Sequence, residues 1–180
     1  WQNVGAANFP WERIPGAVIE RGLAEPHAFC KADNTVFFMG DDRVFYRLDG
    51  LTPIRVSTHA LEHVWQSHSE FDQLFCFAYP WQGHKFVTVT FPSTNTTFEL
   101  NISTGLWHER ESWDLNGRSL GRWRANCHVS AYDYELIGDS VSGKIGHLSH
   151  HEYTEFGNTV QMLATSPPVH SDRKRVFIPR

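Results

Sequence analysis

The chain is 180 residues long, carries a formal net charge of −4, and is 14% aromatic against 20% charged. That length is enough for one domain with a sizeable core, and that composition excludes a disordered chain. The neutral-to-acidic balance, with a pI near 6.3, argues against a dedicated nucleic-acid binder, which would carry a basic face.

The dominant pattern along the chain has period two. Thr35-Val36-Phe37-Phe38-Met39 stops at Gly40-Asp41-Asp42, and Arg43-Val44-Phe45-Tyr46-Arg47-Leu48 answers it as the second arm of a hairpin. Asp49-Gly50 then turns the chain into Ile54-Arg55-Val56-Ser57. Ser57-Thr58 can cap a short helix from His59 to His68, whose apolar stripe is Ala60, Leu61, Val64 and Trp65. Leu74 to Tyr79 and Lys85 to Phe91 flank a turn at Pro80-Trp81-Gln82-Gly83. Thr96 to Leu100 and Leu106 to Arg110 flank Asn101 to Gly105. Residues Glu111 to Arg122, polar and glycine-containing, are expected to form a long surface loop. Cys127 to Tyr132, Glu135 to Gly138 and Lys144 to Leu148 make a third strand set, and a short Val-Phe-Ile strand is expected between Val169 and Arg180.

The turns Asn101 to Gly105 and Asp139 to Gly143 mirror each other. Each opens on a side chain able to bond its own backbone and closes on a glycine that tolerates positive φ. Gly50, Gly105 and Gly143 recur at roughly 40 to 55 residues, close to the period of four-stranded propeller blades. The expected fold is therefore all-β: a partial, propeller-like array of about three to four antiparallel blades with one short helix. A β-sandwich is the alternative, because its turns come at similar intervals. The expectation is a single β domain over residues 1–180, cut from a longer polypeptide, since the chain opens at Trp1 without a signal sequence. No apolar run approaches the ~18 residues that a membrane-spanning helix requires.

Three cysteines, Cys30, Cys76 and Cys127, are odd in number and widely spaced, and no CxxC pair occurs. They are read as buried, inert thiols of a reducing compartment, not as a disulfide framework or zinc ribbon. Among the eleven histidines, His59 and His63 share a helix face, but Ala60 stands where a zinc peptidase needs glutamate, and His147, His150 and His151 form a loop patch. Neither set is read as a metal site, and no cofactor is expected. Asp41, Asp42, Glu109, Glu111, Asp133 and Glu135 are the carboxylates that a glycan hydrolase could pair, yet no motif holds one in an apolar pocket. No GxSxG elbow or phosphate-binding loop is present, so no catalytic residue is assigned. Of the seven tryptophans, Trp81 and Trp113 fall in predicted loops, where an exposed ring could stack on a sugar. Arg173-Lys174-Arg175 is the basic triplet, able to meet a phosphate or to protect a strand edge.

Four ordered segments carry a resemblance. Val4-Gly5-Ala6-Ala7-Asn8-Phe9-Pro10-Trp11-Glu12-Arg13-Ile14-Pro15-Gly16, and Val36 to Asp42 followed by Val44-Phe45-Tyr46-Arg47, are two of them. Ile54 to Glu62, and Thr104-Gly105-Leu106-Trp107-His108-Glu109-Arg110, are the others. In this order and spacing they resemble the packaged-DNA stabilisation proteins, the tail-accessory or hub proteins of short-tailed phages. The resemblance implies a strand-rich virion protein, assembled in the host cytoplasm, that attaches in several copies beneath the portal and its adaptor ring. It implies closure of the portal channel over packaged DNA and a surface for the tail needle and tailspikes. It brings no cofactor, no catalytic residues and no membrane contact, and DNA contact is at most indirect. A carbohydrate-binding propeller module or a glycan hydrolase is the functional alternative.

Overall fold

The computed structural model describes residues 1–114 and 117–161. A short hairpin of β1 (Gln2–Asn3) and β2 (Trp11–Glu12) opens the chain. Strands β3 (Phe29–Ala32), β4 (Thr35–Met39), β5 (Phe45–Asp49) and β6 (Thr52–Arg55) then form a four-stranded antiparallel sheet, blade one. Helix α1 (His59–Gln66) leads to blade two, built from β7 (Phe75–Trp81), β8 (His84–Phe91), β9 (Thr96–Asn101) and β10 (Leu106–Glu109). A hairpin of β11 (Glu111–Asp114) and β12 (Ser119–Arg122) follows. Blade three has three strands, β13 (Ala125–Ala131), β14 (Tyr134–Asp139) and β15 (Ile145–His147), and a last hairpin joins β16 (Thr154–Glu155) to β17 (Asn158–Thr159).

Local chemistry sets the turns. Trp81 pairs with His84 across Gln82-Gly83, whose φ angles of 51° and 78° are both in the left-handed region, as a tight primed hairpin turn requires. The Asn101 side chain accepts from Ser103 N–H, and Asp139 accepts from Val141 and Ser142 N–H. Gly105 and Gly143 close these two turns at φ 69° and 65°, so the two loops do share one mechanism. Thr58 caps α1 by accepting from Leu61 N–H. Arg43, at φ 64°, reaches the other end of α1 and donates to the carbonyls of Gln66 and His68 at 3.1 and 2.8 Å.

The arrangement is radial. Each sheet is a meander of consecutive strands, without the crossovers between sheets that a sandwich uses. The first strands β3 and β7 lie side by side, as do β7 and β13, and His27 bridges Phe75 in parallel. This is the geometry of adjoining propeller blades, each starting at the axis. Cys30, Phe37, Met39 and Phe45 of blade one meet Val87, Val89, Phe98 and Leu100 of blade two in the main core. Trp65 of α1 is fully buried in that seam, its ring within 6 Å of the rings of Phe91, Phe98 and Trp107. A second core joins blades two and three through Tyr79, Trp123, Ala125 and Ile137. Blade two is thus buried on both faces.

Four expectations need correction. Residues 111–122 contain the β11–β12 hairpin, not a surface loop, because Glu111 to Asp114 pairs with Ser119 to Arg122 in register. Trp113 consequently sits in a strand, and so does Trp81, which ends β7 paired with His84. Cys127 is exposed, whereas Cys30 is buried and Cys76 half-buried. Cys127 pairs with Gly138 on the face of blade three turned away from blade two. The helical stripe is also narrower than the sequence implied: Val64 is exposed while Trp65 is fully buried. Arg173-Lys174-Arg175 and the expected Val-Phe-Ile strand lie outside the described residues.

Candidate functional site

The two faces of blade two differ in chemistry. In β8 and β9 the residues facing blade one, Val87, Val89, Phe98 and Leu100, are apolar. Those on the opposite face include Thr88, Thr90, Thr97 and Glu99, all buried. Buried polar groups need partners, and these have them. Thr90 and Thr97 hydroxyls bond each other at 3.1 Å, and Trp123 N–H donates to Thr97 Oγ1 at 3.1 Å.

Glu99 anchors this face. Its side chain is fully buried, and it accepts from the Tyr79 hydroxyl at 2.6 Å, His108 Nε2 at 2.9 Å and Arg110 Nη1 at 3.3 Å. Burial alone would lift its carboxyl, but the His108 hydrogen bond, the Arg110 charge and the Tyr79 hydroxyl together hold it below the ordinary glutamate range. Tyr79 responds oppositely, since burial pushes its hydroxyl well above the usual phenol range. Glu99 is therefore an ionised, saturated anchor and not a proton donor. Its partner Arg110 also stacks over the Trp123 ring at 4.1 Å, and Trp123 Nε1 donates to Glu155 at 3.0 Å.

Above this network lies an open cleft of about 690 Å³ between the outer strand of blade two, the β11–β12 hairpin and the segment after blade three. Arg110 and Trp123 form its floor, with Glu109, Glu111, Trp113 and Glu152 among its walls. Partial burial and the neighbouring Glu109 charge raise the Glu111 carboxyl. Beside the cleft, Arg124 and Asp139 make a buried two-pronged ion pair at 2.9 and 2.5 Å. Burial would raise Asp139, but the Arg124 and Ser142 side chains and two backbone N–H groups drive it far below the usual aspartate range.

A family model described as "Bacteriophage P22 Gp10, beta-propeller" matches residues 1–153. The chain belongs to this phage DNA-stabilisation family. The match covers both four-stranded blades and blade three, and its propeller description agrees with the meandering sheets. A search of curated proteins finds no match. Membership gives the chain a structural role in the phage particle.

The structure separates the residues singled out from sequence. Trp113 lines the cleft, whereas Trp81, at the end of β7, packs on His150 with ring centroids 4.6 Å apart. Glu109 and Glu111 share the cleft. Asp42 instead accepts from Val44 N–H and the Tyr46 hydroxyl, as turn chemistry predicts. Glu135 receives His128 and Ser130 at 2.5 and 2.6 Å, and Asp133 holds a tight turn at φ 62°. His59 stands beside Glu62 and Arg55. Among the described residues no three His, Cys, Asp or Glu side chains converge as a metal site would require. The network of Glu99, His108, Arg110 and Trp123 was not singled out by sequence reasoning. Its one signal is a glutamate inside the strand Thr96–Asn101, on a face shared with Thr97.

Proposed function

We propose that this protein is part of the phage tail and head–tail connector, where several copies help seal the portal channel and retain packaged DNA through protein–protein contacts. Family membership carries this reading. The molecule's construction agrees with it. Two blade seams are filled by tightly packed side chains, which makes a stiff body suited to bearing load. Large apolar side chains nevertheless remain outside, among them Trp1, Phe9 and Trp11 near the start and Val129, Tyr134 and Ile145 on blade three. Such exposed apolar groups suit assembly with further protein surface. Retention of DNA is then mechanical: neighbouring subunits close the channel, and no phosphate-binding groove is needed. The portal–adaptor ring, the tail needle and the tailspikes are the partners that such a position offers.

The test is to mix the protein with purified portal–adaptor complexes and image the product. Added density beneath the adaptor ring is the expected result. Complexes that remain bare at saturating protein would refute the reading.

A further inference from the structure

We propose that the cleft beside blade two is a docking site for an arginine-bearing segment of a neighbouring protein in the particle. The floor of the cleft already shows the arrangement. There the Arg110 guanidinium lies over the Trp123 indole, 4.1 Å from its centroid, and bonds the Glu99 carboxylate at 3.3 Å. One wall repeats the other two members of that set. Trp113 lines the cleft with Glu109 and Glu111, and Glu111 and Trp113, two apart on β11, project from the same face of the strand. No described residue makes an ion pair with Glu109, Glu111 or Glu152. The cleft thus holds an indole ring together with carboxylates that form no ion pair among the described residues, although Arg122 is the cross-strand neighbour of Glu111.

Charge selects the class of occupant. The floor cation, Arg110, is committed to Glu99, while Glu109, Glu111 and Glu152 leave the walls acidic. An anionic ligand is thereby repelled, and a guanidinium is favoured because it can stack on the ring while donating in its plane to a carboxylate. The volume, about 690 Å³, is ample for one or two such side chains with their backbone. This inference takes the occupant to be a protein because the chain is read as an assembly protein. Binding is measured on the isolated chain and assembly on portal–adaptor complexes, so either can fail without the other.

The test uses the full chain with hexa-arginine peptide as probe, at low salt, by calorimetric titration. The doubly substituted Glu109→Gln/Glu111→Gln chain is compared with Glu12→Gln/Glu20→Gln, which removes the same charge from exposed positions far along the chain from the cleft. Thermal melting confirms that each variant is folded. The cleft variant is expected to bind at least ~10-fold more weakly than the parent, and Trp113→Leu about 5-fold or more, with the distant control near the parent value. Equal weakening by the two glutamate pairs would show attraction to net charge alone and overturn the proposal. So would binding of a neutral oligosaccharide that is lost in Trp113→Leu while hexa-arginine fails to bind, which would make the cleft a glycan site.

Discussion

Replacing Glu99 is the sharpest test of the polar seam between blades two and three. Glu99→Gln keeps the shape but removes the charge that Tyr79, His108 and Arg110 all address. Hydrogen bonds to a charged group each contribute about 1.5–3 kcal/mol, so the simple sum for three partners is large. Two of those partners offset most of it. The His108 and Arg110 side chains are 47% and 34% exposed and recover water when the carboxylate is gone. The Tyr79 hydroxyl does not, since Tyr79 is only 2% exposed. The net loss is therefore about 2 kcal/mol, which for a chain of this size lowers Tm by about 4–8 °C. Tyr79→Phe removes the buried bond outright from the other side and costs about 1–1.5 kcal/mol. Because both changes act on one shared interaction, which Gln weakens from a charged to a neutral hydrogen bond and Phe removes, the double variant should be less destabilised than the sum, with coupling of about 1 kcal/mol. Thermal melts followed by tryptophan fluorescence on the four proteins measure this directly. Strict additivity, or a Glu99→Gln variant as stable as the parent, would refute the account of Glu99 as the anchor of this seam.

Acid should act through the same groups. Glu99 and Asp139 both have carboxyls held below their ordinary values, so the stability they contribute is present above about pH 4–5 and is lost as pH falls through the folded values; a Tm still flat at pH 3 would contradict this. Trp65→Ala empties the seam between blades one and two and is expected to cost about 3–5 kcal/mol, readable as a shifted urea midpoint. Trp113→Leu removes a half-buried ring at the cleft wall and should change stability by less than about 1 kcal/mol in the same assay. In thiol titration of the native protein, exposed Cys127 should react fast; Cys30, whose thiol burial pushes to about 12, and Cys76, also raised by burial, should react only after unfolding.

Much of the blade pattern was legible because hairpins are local. The alternation in Thr35 to Leu48 and in Lys85 to Phe91 marks strands, and Pro80 to Gly83 or Asn101 to Gly105 marks the turns that join them. A mirrored turn at Asp139 to Gly143 extended the same logic to blade three. The hairpin at 111–122 escaped because its strands, Glu111–Asp114 and Ser119–Arg122, are short, polar and weakly alternating. They pair beside blade two, and only Ser112 of β11 is buried.

Period-two patterning determines which residues share a sheet face, and turn chemistry determines where that sheet folds back; both are written within about a dozen residues. Neither says what covers a face. Nothing local to the stripe of Thr88, Thr90, Thr97 and Glu99 marks it as covered, since charged groups seldom leave water unpaired. The structure decides otherwise: Tyr79 and His108 of the flanking strands and Arg110 just after β10 satisfy Glu99, while Trp123, from the connector before blade three, bonds Thr97 and lies under Arg110. The Trp123 contacts depend on how the chain after β12 packs back on blade two, which is set by side-chain packing across the seam and not by any local run of residues.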